Sequence, residues 1–196
     1  GTPFSINHTY LTLNTYTATV TVSDSSLQDQ KTLMLTANCV TNPIVTTTAD
    51  SGAGSLREAI AIACAGSTIT FASGINLITL TSGELVINKN LTIQGPEGNT
   101  VAISGNNAFR VLNIFQAGTV TLNNLTLTNG RTDNGGGIAI NGTTVNVNNS
   151  AVANNTATSI GGGIFNANGT LNIMASTISG NIGGQGGGIA NGGTPS

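Results

Sequence analysis

The chain has 196 residues, of which 6% are charged, and its net charge is −2, whereas an ordinary soluble domain has roughly 25% charged residues. Five Lys and Arg residues cannot form the basic patch that binds nucleic-acid phosphates, so we expect no nucleic-acid partner. No apolar run reaches the roughly 18 residues of a membrane-spanning helix, so we expect no membrane insertion. The abundant Thr, Ile and Val indicate a β-forming chain.

Residues 1–42 are predicted to form a separate β-strand segment. Apolar and polar side chains alternate over residues 10–22, and Leu33–Leu35 has the composition of a further strand. Two or three strands do not form a stable sandwich alone. The segment therefore either packs on the rest of the chain, belongs to an incomplete domain, or donates a strand to a neighbouring copy.

Two cysteines, Cys39 and Cys64, are the candidates for a disulfide. They are too few for a disulfide-rich scaffold, and a single histidine, His8, gives no metal-ligand spacing, so we expect no metal or cofactor. The polar composition favours an exported protein, and in that case we expect the two cysteines to be bonded. Two buried thiols are the alternative.

A short helix is predicted to begin at Ser55. Ser55 and Glu58 fit a capping box, and the apolar residues over 59–65 continue on one face until Gly66. Such a helix covers the open apolar end of a β-sheet core. Arg57 and Glu58 are candidate catalytic residues, but we interpret both as helix-capping residues because each has a local structural role.

The second half of the chain repeats every 25 or 26 residues. The sequence Gly-Gly-Gly-Ile begins at Gly135, Gly161 and Gly186. Three segments between these landmarks align without gaps: 120–130, 145–155 and 171–181. A period near 25 residues, with short alternating strands and no helical pattern, predicts a parallel β-solenoid. We expect it to occupy residues 43–196 and to be part of a longer solenoid.

Each coil is expected to contain three strands. The predicted strands are 69–71, 78–80, 85–87, 91–93, 101–103, 111–114, 137–141, 144–148 and 151–154. Side chains at one height in successive coils stack about 4.8 Å apart, and rows of Asn bond to one another. We therefore interpret Asn148, Asn149, Asn154 and Asn155 as corner ladders rather than as a binding site.

The motifs and their order resemble bacterial right-handed parallel β-helix surface proteins. The resemblance rests on the "SLREAI" run within Asp50–Ile60, on Ser67–Phe71, on Leu91–Gly95 and on the GGGI repeats. It implies an all-β, right-handed parallel β-helix with a short N-terminal capping helix, export, attachment to a cell surface and an elongated shape. It supplies no catalytic residues.

Two narrower resemblances concern parts of the chain. The GGGI elements paired with Val152–Asn155 or Ile178–Asn181 are similar to the GGAI and FxxN repeats of polymorphic outer-membrane adhesins, with Val or Ile in place of Phe. His8–Tyr10 together with Tyr16–Asp24 is similar to the last strands of a PKD-type immunoglobulin-like module. The second resemblance implies that residues 1–42 are the end of such a module.

We expect a non-catalytic structural or adhesive module of an exported bacterial surface protein, located outside the cell or on its surface. Its expected partners are further copies, stacked end to end or joined by strand donation, and surface glycans. The first alternative is a carbohydrate-binding or carbohydrate-active β-helix. The second is an ice-binding solenoid, although its threonine row is interrupted at Ala151–Ala153.

Acidic residues are scarce where a carbohydrate-active site would need them. Glycoside hydrolysis uses two carboxylates, and calcium-dependent lyase chemistry uses a carboxylate cluster. Asp133 is the one acid in the regular repeats, and the charged residue near it, Arg131, lies two residues away and is a cation rather than a second acid. Arg110 is predicted to share a face with Asp133, and Asp133–Asn134 is predicted to form a turn. We therefore expect no catalytic residue.

Overall fold

A computed structural model describes residues 15–23, 28–36, 39–98 and 100–192. Near the N-terminus, strands β1 (Thr15–Ser23) and β2 (Gln28–Thr36) pair as an antiparallel hairpin. β1 and β2 contain much of the predicted segments 10–22 and 33–35, but residues 10–14 lie outside the described ones. The predictions for residues 1–14 and 193–196 concern residues outside the described ranges.

The rest of the described chain winds into a parallel β-solenoid, which confirms the predicted fold class. Its helix is α1 (Leu56–Ile62). Its strands are β3 (Ile44–Val45), β4 (Ser67–Phe71), β5 (Leu77–Thr79), β6 (Leu85–Ile87), β7 (Leu91–Gln94), β8 (Val101–Ser104), β9 (Leu112–Phe115), β10 (Thr119–Asn123), β11 (Leu125–Thr128), β12 (Arg131–Asn134), β13 (Ile138–Asn141), β14 (Thr144–Asn148), β15 (Ala151–Ala153), β16 (Thr156–Ile160), β17 (Ile164–Ala167), β18 (Thr170–Met174), β19 (Thr177–Ser179) and β20 (Ile189–Gly192).

Three parallel sheets run along the solenoid. Sheet 1 has six strands in the order β3, β4, β7, β10, β14, β18. Sheet 2 has five strands in the order β5, β8, β11, β15, β19, and sheet 3 has five in the order β6, β9, β13, β17, β20. β12 and β16 form a short additional sheet. Each successive turn of the chain therefore adds one strand to each of the three main sheets.

Alternating side chains fill the interior in rows. Val120 pairs with Leu91 of the preceding turn and with Val145 of the following turn, so one turn takes 29 and then 25 residues in this row. All three side chains are buried. Threonine and amide side chains at the intervening positions face outward. Burying one such aliphatic side chain contributes about 1.5–3 kcal/mol, so the stacked rows account for most of the core.

The predicted strands lie where the alternation placed them. The bounds 85–87 and 144–148 agree with β6 and β14. β5 begins one residue earlier than predicted, and β9 begins one residue later. These small differences arise at strand ends, where hydrogen bonding to the neighbouring turn decides the boundary and alternation does not.

α1 closes the first turn, as predicted. Ser55 Oγ accepts a hydrogen bond from the Glu58 backbone N–H at 3.1 Å, and the helix buries its apolar face. It ends at Ile62, before the predicted Gly66, because Ala63 leaves helical geometry and bridges to Val40. Lys89 Nζ donates to the carbonyl of Ala61 at 2.9 Å, which satisfies one of the unpaired carbonyls at the helix end.

The predicted turn at Asp133–Asn134 is wrong. These residues belong to β12, which pairs in parallel with β16. The bend follows one residue later, at Gly135, whose φ is +66°. Pairing with β16 keeps the chain extended through Asn134. The turn then falls on Gly135, which adopts the left-handed conformation without steric cost.

Candidate functional site

The outer face of sheet 1 carries two rows of hydrogen-bonded polar side chains. In one row, Asn146 Nδ2 donates to Thr121 Oγ1 at 3.2 Å, and Asn172 Nδ2 donates to Asn146 Oδ1 at 2.8 Å. In the other, Asn148 Nδ2 donates to Asn123 Oδ1 at 3.0 Å. Each bond joins one turn to the next, so these amides stabilise the stack.

The interpretation of Asn148 and Asn155 as ladder residues is confirmed. Asn155 is fully buried. Its Oδ1 accepts from the Gly130 N–H at 2.7 Å, and its Nδ2 donates to the Leu127 carbonyl at 3.0 Å and to Asn181 Oδ1 at 3.0 Å. The amide thus joins three successive turns in the interior of a corner.

Asn149 and Asn154 lie at the corners themselves. Their φ angles are +47° and +58°, in the left-handed region that Asn tolerates better than other non-glycine residues. Both are exposed. Their corner positions are confirmed, and the ladder role predicted for them stays a prediction. The tight bends between sheets 1 and 2 and after sheet 2 require this backbone conformation.

A buried carboxylate, Asp50, ties the loop before α1 to the next turn. Asp50 Oδ1 lies 2.6 Å from Arg57 Nη2. Its Oδ2 accepts from the backbone N–H groups of Thr81 at 3.2 Å and Ser82 at 2.9 Å, and from the Ser82 hydroxyl. Burial alone would raise the pKa of Asp50, but the hydrogen bonds from Ser82, Arg57 and Thr81 outweigh it and lower the pKa below its ordinary value.

This cluster predicts a specific loss of stability in acid. Because the pKa of Asp50 lies below 3.8 in the folded chain, its ionised form stabilises the fold above pH 3.8, and that contribution disappears as the pH falls through the folded-state pKa. We expect Asp50→Asn to lower the free energy of unfolding by about 2 kcal/mol at neutral pH and to weaken its acid dependence. Urea unfolding across the acid range measures both effects.

The control for this prediction is Asp133→Asn. Asp133 is exposed, and the contact given for its side chain is a 2.8 Å hydrogen bond from the Thr158 hydroxyl. Its replacement is expected to change the free energy of unfolding by less than about 0.5 kcal/mol. Equal pH profiles for the wild type and Asp50→Asn would show that Asp50 does not contribute in this way.

Glu58 makes a capping contact, as predicted, whereas Arg57 is not a capping residue and contacts Asp50 and the next turn instead. Glu58 Oε2 accepts from the Gly54 N–H at 2.6 Å at the start of α1. Arg57 donates to the carbonyls of Gly83 and Glu84, each at 2.7 Å. The guanidinium therefore connects the capping helix to the segment that leads into sheet 3.

A second ion pair joins the following turns. Arg110 Nη1 lies 2.5 Å from Glu84 Oε2, and Arg110 Nη2 donates to the carbonyl of Asn134 at 3.0 Å. Arg110 thus reaches the same strand as Asp133, but the contact is with the backbone of the next residue. Glu84 Oε1 also accepts from Asn113 Nδ2 at 2.6 Å, so both of its oxygens are engaged.

The described part of the chain contains no group of three or more His, Cys, Asp or Glu side chains that could hold a metal ion. Its two ion pairs each join one acid to one base. The carboxylates of Asp50 and Glu84 are taken up by arginine, hydroxyl, amide or backbone donors. This arrangement holds successive turns together.

An open groove follows the corner between sheets 1 and 2. It has a volume of about 500 Å³, and its lining includes Gln94, Glu97, Asn123, Asn148 and Met174. The row that contains Asn123 and Asn148 lines the groove, together with the exposed loop that contains Glu97. We call this the corner groove. Amide and carboxylate groups beside a thioether can bind a polar ligand with an apolar face.

Cys39 and Cys64 form a disulfide, with 4.8 Å between their Cα atoms. The backbone supports the same contact, since Val40 donates to the Ile62 carbonyl at 2.8 Å and Cys64 donates to the Val40 carbonyl at 3.0 Å. Cys39 is exposed. Thiol titration of the native protein measures the bond directly.

Reasoning from sequence missed the structural roles of Asp50, Glu84 and Lys89. Asp50 and Glu84 bond to residues on another turn of the early coils, where no repeat marks the register. Lys89 is half-buried over the end of α1, and burial lowers its pKa. Because the chain has so few charges, the position of a charged residue next to a predicted strand end was the signal that could have indicated these structural roles.

Within the described residues, no helix is long and apolar enough to cross a membrane. Comparisons with protein-family models, with curated proteins and with solved structures found no match to the chain.

Proposed function

We propose that the chain is a non-catalytic structural and adhesive module of an exported bacterial surface protein, located outside the cell or on its surface. The observation that carries this proposal is that polar side chains form hydrogen bonds from one turn of the solenoid to the next. Amides such as Asn148 and Asn155, and charged groups such as Asp50 and Glu84, bond to neighbouring turns. A scaffold needs such contacts, whereas an enzyme needs polar groups held free for substrate.

Two further features support export and a surface role. Disulfides persist in oxidising compartments outside the cytoplasm, and Cys39 is bonded to Cys64. The resemblance to adhesin repeats and to SLREAI-type β-helix proteins points the same way. We propose surface glycans and further copies of the chain, stacked end to end, as its partners, because uncharged strand edges accept additional strands.

The corner groove favours glycans as the ligand class. Gln94, Asn123 and Asn148 present amide groups at one height on successive turns, and such groups both donate to and accept from sugar hydroxyls. Each amide group uses only part of its hydrogen-bonding capacity in the ladder, which leaves further donor and acceptor positions for a sugar. The groove is open, as an extended polymer would require.

A glycan array combined with a depolymerisation assay tests the proposal. We expect binding to a subset of glycans and no release of reducing ends from them. The double variant Gln94→Ala/Glu97→Ala should lose binding, while Thr126→Ala/Thr128→Ala, on the outer face of sheet 2, should retain it. Reducing-end release would contradict a non-catalytic module, and an array without any binding would contradict the adhesive role.

Light scattering over a range of concentrations tests self-association. We expect the average mass to rise with concentration. A monomer at every concentration would remove end-to-end assembly from the proposal and would leave glycan binding unaffected.

A further inference from the structure

The disulfide closes a loop around the whole N-terminal cap. It joins Cys39 to Cys64, at a sequence separation of 25. Between them lie β3, the loop that contains Asp50, and α1. The residues that cover the first turn of the solenoid are thus all inside the covalent loop.

The two ends of this loop lie on the direct route into the solenoid. Cys39 follows the β1–β2 hairpin in sequence, and Cys64 precedes β4 by three residues. We propose that the Cys39–Cys64 disulfide is a mechanical bypass, which transmits tension on the N-terminal side directly into β4 so that β3 and α1 carry no load. The route follows from the covalent connectivity and does not depend on the adhesive function.

The bypassed cap has the shortest strand pairing in the described solenoid. β3 pairs with β4 at two positions only, Ile44 with Thr70 and Val45 with Phe71. α1 has seven residues, and a helix of that length is unstable without its packing partners. β10, by comparison, pairs with β14 at five positions, and the later turns contribute strands to three sheets at once.

Without the disulfide, tension would enter at Val40. The first contacts to bear it would be the Val40 hydrogen bonds to Ile62 and Cys64, followed by the two-residue pairing of β3. The contacts of Asp50 with Ser82 and of Arg57 with the carbonyls of Gly83 and Glu84 would bear the load next. Their loss would detach α1 and uncover the apolar core that Leu56 and Ile60 now cover. The first turn of the solenoid would then have an open edge, from which later turns can separate in order.

The redox state of one bond therefore sets the mechanical strength of this end. When the Cys39–Cys64 bond is oxidised, β4 and the turns after it bear the tension. When the bond is reduced, the cap is released first. Reduction needs two external thiol groups, such as those of a dithiol. They supply the two electrons and two protons that convert the bond into the thiols of Cys39 and Cys64, and they become a disulfide themselves.

Single-molecule pulling of the full chain by its two ends tests the proposal. In the oxidised protein we expect the first solenoid event to be the separation of β4 and its neighbours. After reduction with dithiothreitol, we expect an additional earlier event, at lower force than any later solenoid event, that releases about 8 nm of chain, the extended length of a 25-residue separation. Events from residues before Cys39 are common to both states.

Two further measurements keep the result unambiguous. Far-UV circular dichroism of the reduced protein at zero force should match the oxidised protein, which shows that reduction alone does not unfold the solenoid. The variant Cys39→Ser/Cys64→Ser, without reductant, should reproduce the early event. A reduced chain that releases the 8 nm only together with the later turns would overturn the proposal, and so would two free thiols in the untreated native protein. A failed glycan array would not change any of these traces.

Discussion

Replacing Asn155 with alanine is expected to lower the free energy of unfolding by about 3 to 5 kcal/mol. The side chain is fully buried, and it bonds to the Gly130 N–H, the Leu127 carbonyl and Asn181 Oδ1. Alanine would remove the partner of the Gly130 N–H and a donor to the Leu127 carbonyl in the interior, where an unsatisfied polar group costs about 1–3 kcal/mol. Asn181 Oδ1 would keep its hydrogen bond from the residue 155 backbone N–H. Equilibrium urea unfolding followed by circular dichroism measures the difference.

The matched control is the neighbouring residue. Asn154 is exposed and has a φ of +58°, so glycine fits its backbone without strain. Asn154→Gly is expected to change the free energy of unfolding by less than about 1 kcal/mol. If Asn155→Ala proved as mild as Asn154→Gly, the buried amide would not hold the turns together and the ladder interpretation would fail.

Gly137→Ala is expected to destabilise the chain by about 3 kcal/mol. A Cβ at this position would lie 2.6 Å from the carbonyl oxygen of Gly163 and 2.7 Å from Val152 Cγ1. Contacts this short force neighbouring atoms to move, and the Gly163 oxygen belongs to the backbone of the next turn, so the two turns must separate. Thermal and urea unfolding of the variant measure the cost.

Gly188→Ala tests the same repeat position without the collision. Gly188 corresponds to Gly137 in the last GGGI element, and a Cβ there would meet only Ile178 Cγ2, at an ordinary 3.5 Å. We expect a change of less than about 1 kcal/mol. Equal losses in both variants would mean that the glycines serve chain flexibility and not close approach of the turns.

The repeat made most of the fold predictable. Because GGGI recurs at nearly constant spacing, residues one period apart must occupy equivalent places, and the observed register of β10 and β14 pairs Val120 with Val145. β12 and β16 escaped prediction because Asp133 and Asn134 have turn-forming side chains. The pairing of the two strands across turns outweighs that local preference.

The polar interior was predictable in part. The recurrence of Asn155 as Asn181, 26 residues later, predicts its place in a ladder. The role of Asp50 could not be predicted in this way. Its partners Thr81 and Ser82 lie 31 and 32 residues away, in coils whose length differs from the later period. A contact between turns of unequal length leaves no periodic trace in one sequence.

Four of the scarce charged residues form one series of contacts along the described turns. Asp50 pairs with Arg57, Arg57 donates to the Glu84 carbonyl, and Glu84 pairs with Arg110, which donates to the carbonyl of Asn134. This series of contacts runs from the cap into the following turns. The outward rows of sheet 1 are hydroxyls and amides, such as Thr121, Asn146 and Asn172, and stacked like charges there would repel one another about 5 Å apart.

The central claim is that equivalent residues of successive turns stack in straight rows one strand spacing apart. Thr68, Thr92, Thr121, Asn146 and Asn172 form one such row on the outer face of sheet 1. Electron paramagnetic resonance between nitroxide labels at Thr68 and Asn172 should give a separation of about 19 Å, which shortens by about 4.8 Å when the second label moves to Asn146. Separations that do not shorten by one strand spacing per turn would contradict the stacked solenoid.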